Sequence, residues 1–263
     1  MKMRSTATLT EHCVKALIMG PPGAGKTSLA RTLPHHETLV VSAESGLLSL
    51  GDTKIDYLDI SKDDEDKVIE SPEKRWDGLG QVYRYLATDE AKKKYKVIFI
   101  DSISEISQVL IDVLAAKYPE KKDALVLWGE YSKKMREFVR KFRDLPGYHV
   151  FFTSLDAEKK GNNDIAVVGA EVSGKIGKLL PAFFDEVFLL RVMPDKKRVL
   201  VTAQTDRILV KDRSGALLPT EDADLGMILK KIQAKAAGVG AGSVVQTGVV
   251  TTATPNEQQG TKK

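Results

Sequence analysis

Residues 20–27 read GPPGAGKT, a fit to G-x-x-x-x-G-K-[ST]. Glycines at 20, 23 and 25 let a backbone curl until its N–H groups point at phosphate oxygens. The segment Gly20, Pro21, Pro22, Gly23, Ala24, Gly25, Lys26, Thr27 and Ser28 is therefore the expected nucleotide-binding loop. Lys26 is expected at the β- and γ-phosphates of ATP, and the Thr27 hydroxyl on Mg²⁺. KVIFID (96–101) ends an apolar run in a carboxylate, the place for an acid that orients magnesium-bound water, so Asp101 joins Thr27 as a metal residue. Ser102 follows where many ATPases carry their catalytic glutamate. Two glutamates compete for the base. Glu105 lies a helical turn past Asp101. Glu44, in VVSAESG, ends the first strand after the phosphate loop, where ligand chemistry of open parallel sheets gathers, and is preferred. Thr153 and Ser154 end the run HVFFTS and are candidates to sense the γ-phosphate. GAEVSGKI (169–176) repeats the loop pattern but ends in Ile176, which has no hydroxyl for magnesium, and is rejected as a second site.

These residues need elements to hold them. Runs at 14–19, 38–43, 55–60, 96–101, 148–154, 185–192, 198–205 and 207–211 read as strands. The early ones are near-continuously apolar, as strands covered on both faces must be. Helical patterns fall at 26–33, 75–87, 104–117, 128–144 and 222–234. This alternation predicts an α/β fold with a mostly parallel central sheet flanked by helices. The last strands follow one another without helices, predicting antiparallel strands added at the C-terminal edge. Helix 128–144 sets Tyr131, Met135, Phe138, Phe142 and Leu145 on one stripe, a core face. Its other side collects Lys133, Lys134, Arg136, Arg140, Lys141 and Arg143, read first as a solvated face.

The bulk numbers bound the rest. With 263 residues, one sizeable domain is expected over 1–234. From 235 to 263 the chain is rich in Gly, Thr and small residues and lacks aromatics, which predicts a disordered tail. Lys plus Arg (40) barely exceeds Asp plus Glu (36), so any nucleic-acid surface must come from local clustering. The single Cys13 forms no internal disulfide and fits a reducing cytoplasm as a small buried residue. No apolar run reaches the roughly 20 residues that span a bilayer, so no membrane partner is expected. The four histidines show no metal-ligand spacing.

Asp101–Ser102 after the apolar strand, with Glu44 on the strand after the phosphate loop, resembles the RecA/RadA/KaiC group of P-loop ATPases. AAA+ proteins instead place Asp and Glu together. Within the group the chain is similar to compact RecA-like ATPases of bacteriophages, the Sak-type single-strand annealing family. The likeness rests on the short loop GPPGAGKT, on SAESGLLSL (42–50) and on Lys-Asp-Arg within VKDRSG (210–215), and runs over about residues 14–225. It implies a RecA-like core with ATP and Mg²⁺ as cofactors and slow, DNA-stimulated ATP hydrolysis. The implied partners are single-stranded DNA, further copies of the chain in a ring or filament, and a single-strand-binding protein. The implied setting is strand annealing and recombination in phage DNA metabolism, in the bacterial host cytoplasm. By the same likeness Lys211 and Arg213 act in trans on ATP held by a neighbouring subunit, though Asp212 and Ser214 stand where RadA-like proteins have Asn and Phe. The stretch 156–178 corresponds to a mobile DNA-binding loop, with Lys159, Lys160, Lys175 and Lys178 on DNA phosphates. That stretch has no aromatic residue for base stacking. Two other readings stay open: a small-molecule or nucleoside kinase, and a nucleotide-gated adaptor or loader for a replication protein.

Overall fold

The computed structural model describes residues 13–160 and 166–238. Ten strands form one sheet with the path order β10-β8-β7-β1-β5-β4-β2-β3. The parallel part comprises β1 (Lys15–Gly20), β2 (Thr38–Ser42), β3 (Asp56–Asp59), β4 (Val97–Asp101), β5 (His149–Lys160) and β7 (Glu186–Val192). β5 is inserted between β1 and β4, so the phosphate-loop strand and the Asp101 strand are not neighbours.

Alternation along the strands divides the core in two. Leu17 and Met19 of β1, Ile98 and Ile100 of β4 and Phe152 of β5 pack on one face. There they meet α1 (Pro72–Leu86), α3 (Ile103–Lys117), α4 (Ala124–Arg143) and α5 (Ile176–Phe183). Ala16, Ile18, Phe99, Phe151 and Phe188 point the other way, toward Leu29, Ala30 and α6 (Leu225–Ala236). A period of two puts successive side chains on opposite faces, and both are covered, which is why these strands read as unbroken apolar runs. Each large side chain so buried contributes roughly 1.5–3 kcal/mol. The predicted stripe Tyr131, Met135, Phe138, Phe142 and Leu145 is buried throughout. At the other edge β8 (Arg198–Val201) and β10 (Thr220–Asp222) run antiparallel, and β9 (Lys211–Asp212) pairs with the start of β7. α2 (Asp89–Lys94) completes the helices.

Several boundaries differ from expectation. The helix expected at 26–33 is a 3-10 helix over Thr27–Thr32. Thr32 turns its hydroxyl back to the Leu29 carbonyl (2.7 Å) and accepts from the Leu225 amide (2.9 Å), and Pro34 follows. The strand expected to stop at 154 runs on to Lys160 because β6 (Ala166–Ala170) pairs with it antiparallel. Much of the expected loop 156–178 is thus a hairpin followed by α5. Residues 161–165 lie outside the described residues, as does the expected tail from residue 239 on. The runs 198–205 and 207–211 shrink to β8 and β9; at the end of β8 the Thr202 amide still donates to the Pro219 carbonyl (3.1 Å), but Pro219 has no N–H to return a bond and the ladder with β10 stops there. Cys13, expected buried, is half-exposed. Among the described residues no helix is long and apolar enough to cross a membrane.

Gly20 ends β1 against β7. A Cβ there would stand 3.1 Å from the Leu190 carbonyl oxygen and 3.2 Å from its Cβ. The phosphate loop therefore springs from a close contact between β1 and β7 that leaves no room for a side chain.

Candidate nucleotide site

The loop after β1 opens into a cleft of about 830 Å³. Pro22, Gly23, Gly25, Lys26, Thr27 and Ser28 line it, together with Ala43, Glu44, Asp101, Glu105, Arg75 and Arg198. Gly23 (φ +73°) and Gly25 (φ +95°) hold left-handed backbone that the curl requires. Ala24 is buried and donates its amide to the Pro21 carbonyl (3.2 Å). Lys26 folds onto its own loop: Nζ donates to the carbonyls of Gly20 (2.8 Å) and Pro21 (3.0 Å). Burial pushes its amine below the ordinary lysine value, with Asp101 and Glu44 opposing.

Thr27, Asp101 and Thr153 converge although they belong to three different strands or their loops. Thr27 Oγ1 donates to Asp101 Oδ2 (2.5 Å), and Thr153 Oγ1 donates to Asp101 Oδ1. Asp101 and Thr153 are buried. Thr153 sits within the inserted strand β5, opposite Ile18 of β1 and between the strands that carry the other two. Ser154, its companion, points elsewhere. Its hydroxyl donates to the Leu155 carbonyl (2.7 Å) and meets Ser104 Oγ (3.1 Å). Strand alternation separates the two candidate sensors, and only Thr153 touches Asp101.

β2 and β4 pair with Ser42 opposite Asp101, and the Ala43 amide donates to the Asp101 carbonyl (2.7 Å). That register carries Glu44 alongside Ser102, whose hydroxyl donates to Glu44 Oε1. Ser45, at φ +53°, then turns the chain away. The Asp101–Ser102 peptide is cis. Glu105, the competing glutamate, is already paired: Arg75 Nη2 donates to its Oε1 (2.9 Å) and to the Ala43 carbonyl (2.9 Å). Arg75 and Arg198 are cleft residues that the sequence reading missed. Each reaches the cleft from an element distant in sequence, and neither belongs to a motif.

The donor set fits Mg²⁺. A hydroxyl and a carboxylate are hard oxygen ligands, and Mg²⁺ is ordinarily held by one or two carboxylates, phosphates and water. Among the described residues no group of three or more His, Cys, Asp or Glu could hold a metal by itself. The rejected repeat of the loop pattern lies between β6 and α5, with Ile176 buried.

The structure does not bring Lys211 and Arg213 to this loop. β9 pairs with Glu186 and Val187 at the start of β7, level with Ala16 and Leu17, whereas the loop follows the other end of β1. Lys211 Nζ donates to the Pro181 carbonyl (2.8 Å), and Arg213 pairs with Asp185 (2.7 Å). Asp212 holds the turn, accepting from the amides of Gly215 (2.7 Å) and Leu217 (3.0 Å). Lys175 and Lys178 are exposed, at the start of α5 and within it. The backbones of Lys159 and Lys160 close β5, and their side chains lie outside the described residues. On α4, Lys134 is near Glu130 (3.5 Å), Arg140 lies over the Phe183 ring and Arg143 is paired with Asp144. Arg136 Nε donates to the Ser132 carbonyl (3.3 Å), so most of that basic face is tied down locally.

No curated protein matches the chain in sequence. Among solved structures it is similar to an ATPase from the type III secretion system of pathogenic bacteria, at 14% identity and a TM-score of 0.43. The match covers 71% of this chain and 55% of that one, so this chain spans about half the length of the protein it matches. A family described as AAA domain matches residues 12–214. The P-loop ATPase class is common ground. By a family match over most of its length, and by the loop, strand order and buried aspartate that the fold brings together, the chain belongs to the AAA-domain family of P-loop ATPases.

Proposed function

We propose that this protein binds and hydrolyses ATP with Mg²⁺, binds single-stranded DNA, and promotes strand annealing and recombination in phage DNA metabolism as a homo-oligomer. The observation that carries the ATPase part is the meeting of Thr27, Asp101 and Thr153 beside Glu44. Bound ATP would supply the scissile phosphoanhydride, and Mg²⁺ held by Thr27 and Asp101 would supply positive charge to offset that of the phosphates. The loop from Gly20 to Ser28 would hold the phosphates, with Thr27 and Asp101 on the metal. Lys26 exchanges two backbone carbonyls for phosphate oxygens. Glu44, held by Ser102, accepts the proton of the attacking water. Thr153 ties the state of Asp101 to β5 and the hairpin beyond it.

The DNA part is supported by a surface assembled from distant residues. Trp128, near the start of α4, is 43% exposed, and a Cβ on Gly174 would lie 3.8 Å from its ring. Lys175 and Lys178 follow directly. The aromatic residue absent from 156–178 is thus supplied by another element, and stacking on an aromatic ring beside cations is how single strands are held without sequence preference. Ser104 joins this surface to the cleft: its hydroxyl donates to the Glu171 carbonyl (2.8 Å) and accepts from the Leu155 amide (3.0 Å). Exposed Leu125 and Val126 on the same helix favour a protein partner as the competing occupant, the loader reading.

The test is anisotropy of a labelled single-stranded oligonucleotide, without nucleotide, with ADP, and with a non-hydrolysable ATP analogue. Wild-type protein is expected to bind in a salt-sensitive, nucleotide-dependent way. Lys26→Ala loses the nucleotide dependence, and Trp128→Ala weakens binding in every state. No binding at modest salt in any state would defeat the DNA reading while leaving the ATPase intact.

A further inference from the structure

Arg198 opens β8, opposite Val192 in the β7–β8 hairpin. The hairpin turn is internally held: the Met193 amide donates to the Lys197 carbonyl (2.8 Å), and Asp195 accepts from the Lys197 amide (2.9 Å). Lys197 is paired with Asp222 (2.7 Å). Arg198 differs from its neighbour. Among the described residues no carboxylate pairs with its guanidinium and no hydrogen bond is made to it. It instead lies across the phosphate loop. A Cβ built on Gly25 would stand 2.8 Å from Arg198 Nε and 2.9 Å from its Cζ. The guanidinium thus rests where any side chain at position 25 would be, and it lines the cleft beside Lys26 and Ser28.

An unpaired arginine laid on a backbone that cradles phosphate has one obvious counter-charge. Its planar fork of donors matches phosphate oxygens better than an ammonium does. We propose that Arg198 is a second cation of the nucleotide site, supplied by the same chain, and that it binds the phosphates of a nucleoside di- or triphosphate. Gly25 then has two duties: left-handed backbone, and clearance for the arginine. This inference rests on the ATP-binding reading above. It differs from the expected trans contact of Arg213, because it completes phosphate binding within one subunit.

The experiment is titration calorimetry of ATP, ADP and adenosine, with Mg²⁺, against wild type, Arg198→Ala and Arg198→Lys. Arg198→Ala is expected to weaken ATP and ADP about tenfold to a hundredfold, the range for a lost charge-assisted contact. Arg198→Lys recovers part of that loss. Adenosine is unaffected, and the ATP and ADP losses are the same at high and low protein concentration. Because Arg198 has no charged or hydrogen-bonding partner among the described residues, the nucleotide-free variant is expected to melt at the wild-type temperature, which separates a binding defect from misfolding. Unchanged ADP affinity in Arg198→Ala overturns the proposal. So does an equal loss for adenosine, which would place the arginine on the base, or a loss that appears only on assembly. Failure of the wild-type protein to bind any nucleotide would instead defeat the ATP-binding reading itself.

Discussion

Glu44 and Glu105 share a cleft, yet only one is free to work. Arg75 holds Glu105 by charge and by hydrogen bond, whereas Glu44 is oriented by a neutral hydroxyl and stays exposed. The guanidinium occupies Glu105 Oε1 and ties that side chain to the Ala43 carbonyl, so Glu105 is not free to turn toward an attacking water. Glu44→Gln should lower the turnover number for ATP by about 10²–10⁴-fold, the usual worth of a general base, with ATP affinity retained. Glu105→Gln should keep most of the turnover. Phosphate release measured for both variants decides it, and an equal loss in the two would remove Glu44 from the role. The position of Glu44 was legible because apolar runs announce where they stop: Asp101 ends β4, Glu44 stands just past β2, and Thr153 follows an apolar run although its strand continues to Lys160. The split between Thr153 and Ser154 follows from alternation once the register is known. Arg75 and Arg198 were not legible. Their places depend on how a helix and a hairpin return to the sheet, and no local pattern encodes that.

At the level of elements, the parallel strands were readable from their unbroken apolar runs, and α4 from its stripe. The two-residue β9 and the long β5 were not, because each owes its extent to a partner strand distant in sequence. β9 also covers an unusual group. Glu186, at the start of β7, is 2% exposed and accepts the Ser214 amide (3.1 Å). Burial first, and Asp212 second, push its carboxyl up to about 8 from 4.5. Between those values the folded chain holds a proton that the unfolded chain releases. The stability that depends on the neutral acid is complete below about pH 4.5 and is lost as pH rises through about 8. Glu186→Gln should flatten the fall in stability between pH 5 and 8. The slope it removes is at most about 1.4 kcal/mol per pH unit. Denaturant midpoints across that range read it directly, and identical slopes in the two proteins would contradict the buried-acid account.

At the level of the whole molecule, the question is how many chains make one site. Lys211 and Arg213 sit level with the start of β1, remote from their own loop. A role on ATP therefore requires a second copy. Arg213 is 60% exposed in its pair with Asp185, and such pairs contribute only about 0–1 kcal/mol, so the side chain can be released at little cost. Arg213→Ala should fold normally, bind ATP with wild-type affinity and lose DNA-stimulated turnover. Full turnover, or loss of ATP binding, would count against a trans contact. The oligomer was expected from resemblance alone, since composition and charge carry no record of which surfaces meet.

Gly20 has a different kind of consequence. Its α-hydrogen side is occupied by the Leu190 carbonyl of β7 before any ligand arrives. Position 20 therefore answers to the sheet and position 25 to the cargo, although both are written as G in one eight-letter string. A signature of this kind is two messages overprinted, one addressed to folding and one to binding. Damage at its first letter would be felt only through the sheet, whereas damage at its sixth would be felt twice, as strained left-handed backbone in the empty protein and again when there is phosphate to hold.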